Sequence, residues 1–223
     1  MTKRRRTGKS KTRARSFALD PFFSCLIFAG VGLGTLGMRA SPRLAVLWAS
    51  LLVLWILYRE GKSLKLKYEY GEIGRGLLAG VAVGVPLLLL ALRPLATAIP
   101  ILFVGAQQTT LEQGIGTIVF LAVVLLAPLA EELFFRDILQ RELGLWIAIA
   151  LYAAAGLVLF LPTAGQYPVV LLSVVGVWSV LGAMYAFLNE RFGFAATLTA
   201  HTVVNLFLLY IPAILSYLGL LAA

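Results

Sequence analysis

Two small groups of polar residues stand out in an otherwise apolar chain. Glu131, Glu132 and Arg136 lie in LLAPLAEELFFRDILQR (residues 125–141), and His201 and Asn205 lie in TAHTVVNL (residues 199–206). A carboxylate, an imidazole and an amide at one place could activate water: the carboxylate as base, the imidazole as polariser, the amide as donor to an oxyanion. Adjacent glutamates on a helix project about 100° apart, so one can face a site while the other meets a structural partner. Arg136 is four residues after Glu132 and five after Glu131, so the closer ion pair is Glu132–Arg136. Glu131 has no local cation and is the first candidate for chemistry. His201 and Asn205, four apart, share a helix face. A plainer account exists for each group. The glutamates could pin one helix to a neighbour, and the histidine could satisfy the amide.

The element that carries the glutamates must cross a membrane. Of the 223 residues 61% are hydrophobic and the mean hydropathy is +0.93, well above soluble domains. A charged side chain near a bilayer centre costs at least about 2.5–3.5 kcal/mol, so acids there face a cavity or a partner. Seven apolar segments can be drawn, at residues 22–38, 44–58, 76–92, 115–139, 145–161, 168–188 and 194–218. Their lengths suit a hydrocarbon core of about 30 Å. The expected fold is all-α, a polytopic membrane bundle of about seven transmembrane helices. Pro86 and Pro128 should kink their helices. Gly30 with Gly34, and Gly76, Gly80 and Gly84, read as close helix contacts.

Net charge is +9, but eight of the 19 Lys and Arg residues fall in the first fifteen positions. That segment lacks aromatic residues and apolar periodicity. It is expected to be a disordered basic tail on an anionic inner leaflet, with no nucleic-acid recognition fold beside it. Placing the N-terminus in the cytoplasm puts sixteen basic residues on the inner side and three (Arg39, Arg43, Arg93) on the outer. This predicts an integral protein of the plasma or another inner membrane. The first apolar segment lacks a clear small-residue cleavage site and reads as a retained span. The single cysteine, Cys25, gives no intrachain disulfide and no cysteine metal site.

On this drawing Glu131 and His201 both fall in the inner half of the bilayer. Glu131-Glu132-x-x-x-Arg136, followed about seventy residues later by His201-x-x-x-Asn205, resembles the CPBP family of intramembrane proteases. These are the CAAX-prenyl-processing and bacteriocin-processing proteins, also called Abi. Gly182-Ala-Met-Tyr185-Ala-Phe-Leu-Asn189 is similar to the helix before the family's last motif. The resemblance covers about residues 115–208. It implies a membrane endopeptidase in which Glu131 activates water while Asn205 and His201 stabilise the oxyanion, with Glu132 and Arg136 as structural support. One place departs from the pattern. The family's Phe-x-x-x-His matches Phe160-Leu161-Pro162-Thr163-Ala164, with alanine where the second histidine belongs. A two-histidine metal site is therefore excluded. No cofactor is assigned: a divalent metal is compatible with the motif, but only one histidine is available. Thr163 or Gln166 could supply a polar contact but no proton-shuttling imidazole.

The expected organisation is a basic tail at 1–20, N-terminal membrane helices at 21–114 and a CPBP-like helical core at 115–218. The expected partners are membrane lipids, including an anionic inner leaflet, and a membrane-associated or lipidated peptide. The alternative is a catalytically degenerate relative acting as a membrane scaffold or chaperone for a client protein. A transporter fits less well, because polar residues are few and no repeated halves with broken helices stand out.

Overall fold

Backbone amides in lipid have no water to bond, so apolar segments must close their hydrogen bonds within helices. The computed structural model describes residues 19–60, 69–103, 121–164, 168–218 and 220, and the elements among them are helical. Helix α1 is Pro21–Gly34, with proline in its first turn and the Asp20 carboxylate accepting from the amides of Phe22 (2.9 Å) and Phe23 (3.1 Å). Helix α2 is Ala40–Arg59 and α3 is Tyr70–Phe103. Helix α4 covers residues 121–143. It is built from a π turn, Leu121–Leu126, an α segment, Ala127–Phe134, a second π turn, Phe135–Gln140, and a last turn, Arg141–Leu143. Helix α5 is Leu145–Ala164 and α6 is Pro168–Phe192. Helix α7 covers residues 194–217, with a π turn at Leu206–Tyr210. The chain reverses between α4 and α5 at Gly144, and between α6 and α7 at Gly193. Their φ values of 90° and 94° are ones that a side chain would resist.

Five of these helices (α2, α3, α5, α6 and α7) are long and apolar enough to cross a membrane. Helix α1 is apolar but has 14 residues, about 21 Å at 1.5 Å per residue. The protein is an integral membrane helix bundle. The basic tail up to residue 18, residues 61–68 of the loop after α2, residues 115–120 of the fourth apolar segment, and Gln166 lie outside the described residues.

Two backbone expectations change. Helix α3 departs from helical angles at Ala91 (φ −118°, ψ 15°), not at Pro86. Ala91 lies just upstream of Pro94, which cannot donate to the carbonyl of Leu90 and crowds the preceding turn. Gly30 and Gly34 have no neighbour within 4 Å among the described residues. The glycine that lets α1 approach α5 is Gly32, against Val158. The second glycine series does pack closely. A Cβ at Gly80 would stand 2.7 Å from Cβ of Val203, one at Gly84 would stand 3.0 Å from Phe207, and Gly76 abuts the carbonyl of Ala196. Helix α3 is therefore seated directly on α7, the helix of His201 and Asn205.

Arg43 also moves, from the outer loop to the interior. It is 2% exposed, and its guanidinium donates to the carbonyls of Gly32 (3.0 Å), Val158 (2.6 Å) and Leu159 (2.5 Å). Val158 precedes Pro162 by four residues, so its carbonyl has no helical donor, and Gly32 lies in the last turn of α1. Arg43 satisfies orphaned carbonyls of two helices at once.

Candidate active site

Five helices converge on the glutamates. Helix α4 buries Glu131, Glu132 and Arg136, which are 4%, 0% and 1% exposed. Its π turns flank the α segment that carries the two acids. Pro128, in the first turn of that segment, has no N–H to give to the carbonyl five residues back, Val123. That carbonyl instead accepts from Asn205 Nδ2 at 3.0 Å.

Glu131 is held on both oxygens. Trp48 Nε1, from α2, donates to Oε1 at 3.0 Å, and the Tyr152 hydroxyl, from α5, donates to Oε2 at 2.8 Å. His201 Nε2 stands 3.8 Å from the same Oε2. That gap is too long for a hydrogen bond and short enough for one oxygen atom to touch both groups. Glu132 takes Arg136 Nε on Oε2 at 3.2 Å, as the spacing predicts, and His201 Nδ1 on Oε1 at 2.8 Å. An ionised carboxylate only accepts, so Nδ1 carries the proton and Nε2 is turned toward Glu131. Arg136 also donates through Nη2 to the carbonyl of Gly182 (3.2 Å) and lies over the Tyr152 ring, 5.0 Å from its centroid.

Aromatic rings fix the angles. Tyr185 stacks on His201 with centroids 4.3 Å apart and planes at 20°. Tyr152 meets Phe135, Tyr185 and His201 edge-on. Gly182 makes this fit, since a Cβ there would stand 2.7 Å from Tyr152 Cδ1.

The structure thus brings Glu131, Glu132, Arg136 and His201 into one network. The simple histidine-to-amide pairing does not occur: His201 bonds Glu132, and Asn205 bonds the backbone of α4. Sequence reasoning missed three parts. It took Glu132 as the partner of Arg136 alone, whereas the same carboxylate also orients the histidine. It did not find Trp48, whose signal was only an indole in an apolar helix. It named only Thr163 or Gln166, near Ala164, for a polar contact from this region, but the residue of α5 that reaches Glu131 is Tyr152. Ala164 ends that helix twelve residues later, about 18 Å along the axis. The side chains of Thr163 and Ala164 lie outside what the structure describes.

Residues 113–207 match the family model described as Type II CAAX prenyl endopeptidase Rce1-like. The matched segment is less than half of the chain. It contains both polar groups, and it is consistent with the intramembrane proteases of the CPBP family. No curated protein and no solved structure matches the chain. The matched segment spans all of α4, α5 and α6, and α7 through Phe207. The Trp48 donor on Glu131 therefore comes from outside it.

A metal at this site would find few uncommitted side chains. Among the described residues no group of three or more His, Cys, Asp or Glu side chains could hold one. Glu132 is committed to Arg136 and His201, which leaves Glu131 and His201 Nε2. Two ligands are fewer than the three protein ligands of catalytic zinc sites.

Proposed function

We propose that the protein is an intramembrane endopeptidase of the CAAX-processing type, acting on a membrane-associated or lipidated peptide. The observation that carries this is the 3.8 Å gap between Glu131 Oε2 and His201 Nε2, both buried and each held from behind. A water in that gap gives a proton to Glu131 while its oxygen bonds to the carbonyl carbon of the peptide. The negative charge formed on the carbonyl oxygen needs donors, and Asn205 has one N–H beyond that given to Val123. Collapse breaks the C–N bond, and the leaving nitrogen takes the proton from Glu131 directly or through His201. Glu132 keeps the imidazole in the required tautomer. No metal-dependent step is needed for this sequence.

The test is cleavage of a membrane-peptide library in proteoliposomes by wild type and by Glu131→Gln. Cleavage should fall at least about 10²-fold in the variant, the scale of a lost general base. Unchanged cleavage would remove Glu131 from that role.

A second reading is a scaffold that holds membrane helices without cutting them. One observation favours it: each carboxylate oxygen of Glu131 and Glu132 already has a donor. Under this reading wild type cuts nothing, and Glu131→Gln lowers stability while client binding persists.

A further inference from the structure

The network leaves two buried donors over. The Tyr185 hydroxyl and Arg136 Nη1 have no hydrogen-bond partner among the described residues, in side chains that are 0% and 1% exposed. They share one neighbourhood. The Tyr185 ring lies 6.4 Å from the Tyr152 ring, and the Arg136 guanidinium covers that same ring at 5.0 Å. Arg136 is tied to α6 through Gly182, one turn before Tyr185. Both side chains thus border the ring of Tyr152, whose hydroxyl holds Glu131, and Tyr185 is also stacked on His201. The remaining unpartnered buried atoms belong to Arg43, Glu72 and Trp178, outside this network.

Buried donors are normally paired, and an unpaired pair beside a reactive carboxylate marks a place for an acceptor. We infer that Tyr185 and Arg136 Nη1 form a station for one acceptor oxygen next to the Glu131–His201 gap. That oxygen is either a resident water or the carbonyl oxygen of the bound peptide. A phenol and a guanidinium suit an oxygen that gains negative charge, because charge-assisted bonds strengthen as the charge develops. The station would share with Asn205 the donor role that the resemblance assigned to Asn205 and His201. The carbonyl source rests on the peptidase reading; the water source does not.

The test is a double-mutant cycle in the full-length protein in nanodiscs, using Tyr185→Phe and Arg136→Lys. The first keeps the stacked ring, and the second keeps a cation for Glu132 but removes Nη1. Two groups that touch one oxygen give coupled effects, whereas groups with separate partners give additive ones. Coupling in Tm without peptide identifies a resident water. Coupling in kcat alone, with Tyr185→Phe lowering kcat about ten-fold or more at a KM within about two-fold, identifies the peptide oxygen. Additive effects on both overturn the inference, as do additive effects on Tm when wild type cuts nothing. That silence would separately count against the peptidase. If Arg136→Lys does not fold, Tyr185→Phe decides: a lower Tm or kcat supports the station, and no fall in either overturns it.

Discussion

Glu131 is shielded at every oxygen, and this sets what each neighbour is worth. Removing one donor from a buried carboxylate leaves a lone pair without solvent or partner, a cost of about 1–3 kcal/mol. Tyr152→Phe should therefore lower Tm by several degrees in detergent and slow any cleavage, without changing the fold. An unchanged Tm would mean that the hydroxyl is not bonded to Glu131 in solution. Glu132 has more to lose. Glu132→Ala strands the Arg136 guanidinium and frees the imidazole, so a cost near 3–5 kcal/mol and a large fall in folded yield are expected. Normal yield and thermal stability would refute that pairing. At this scale the sequence was legible where spacing along one helix governs the contact, as for Glu132 and Arg136. It was silent on Trp48 and Tyr152, because a contact across 83 or 21 residues depends on the way helices pack, which no local pattern encodes.

The helices are positioned by their small residues and their prolines. The series Gly76, Gly80, Gly84 brings α3 against α7, so Gly80→Val should push α7 away and reduce both folded yield and any activity. Gly30→Val, facing no described neighbour, should be tolerated. Equal damage from the two would contradict the packing. Gly182 has a narrower task. Gly182→Ala should move the Tyr152 ring off Glu131 and resemble Tyr152→Phe in its effect. Apolar length and glycine spacing forecast most helices and the α3–α7 contact. They could not separate Gly32 from Gly30 and Gly34, because which face of a short helix meets a neighbour is decided by the bundle. Nor did they foresee that Arg43 would turn inward, since the carbonyls it serves become orphans only where Pro162 and the end of α1 meet.

Over the whole molecule, charge distribution and helix number make a joint prediction. If α1 and α4 cross together with the five long helices, the termini lie on opposite faces, with the basic N-terminus in the cytoplasm. Reporter fusions at each end should report opposite compartments; the same compartment would mean that one of the two does not span. The fold class was legible because composition alone demands lipid around the chain. The burial of the site was not: Glu131, Glu132 and His201 are all at most 4% exposed. A peptide substrate of the proposed kind would reach them only if helices part. The three π turns bear on how such a protein can change over generations. Each holds about one residue more than an α turn, and so has slack that a regular α segment lacks. Removing a single residue from Phe135–Gln140 would close that turn to the α count and keep the downstream chain near its present phase, whereas removing one from Ala127–Phe134 would rotate the two sides of the helix by about 100° relative to each other. Sequences that differ by one residue in length at a π turn would then keep the same site, and sequences that differ so in the α segment would not.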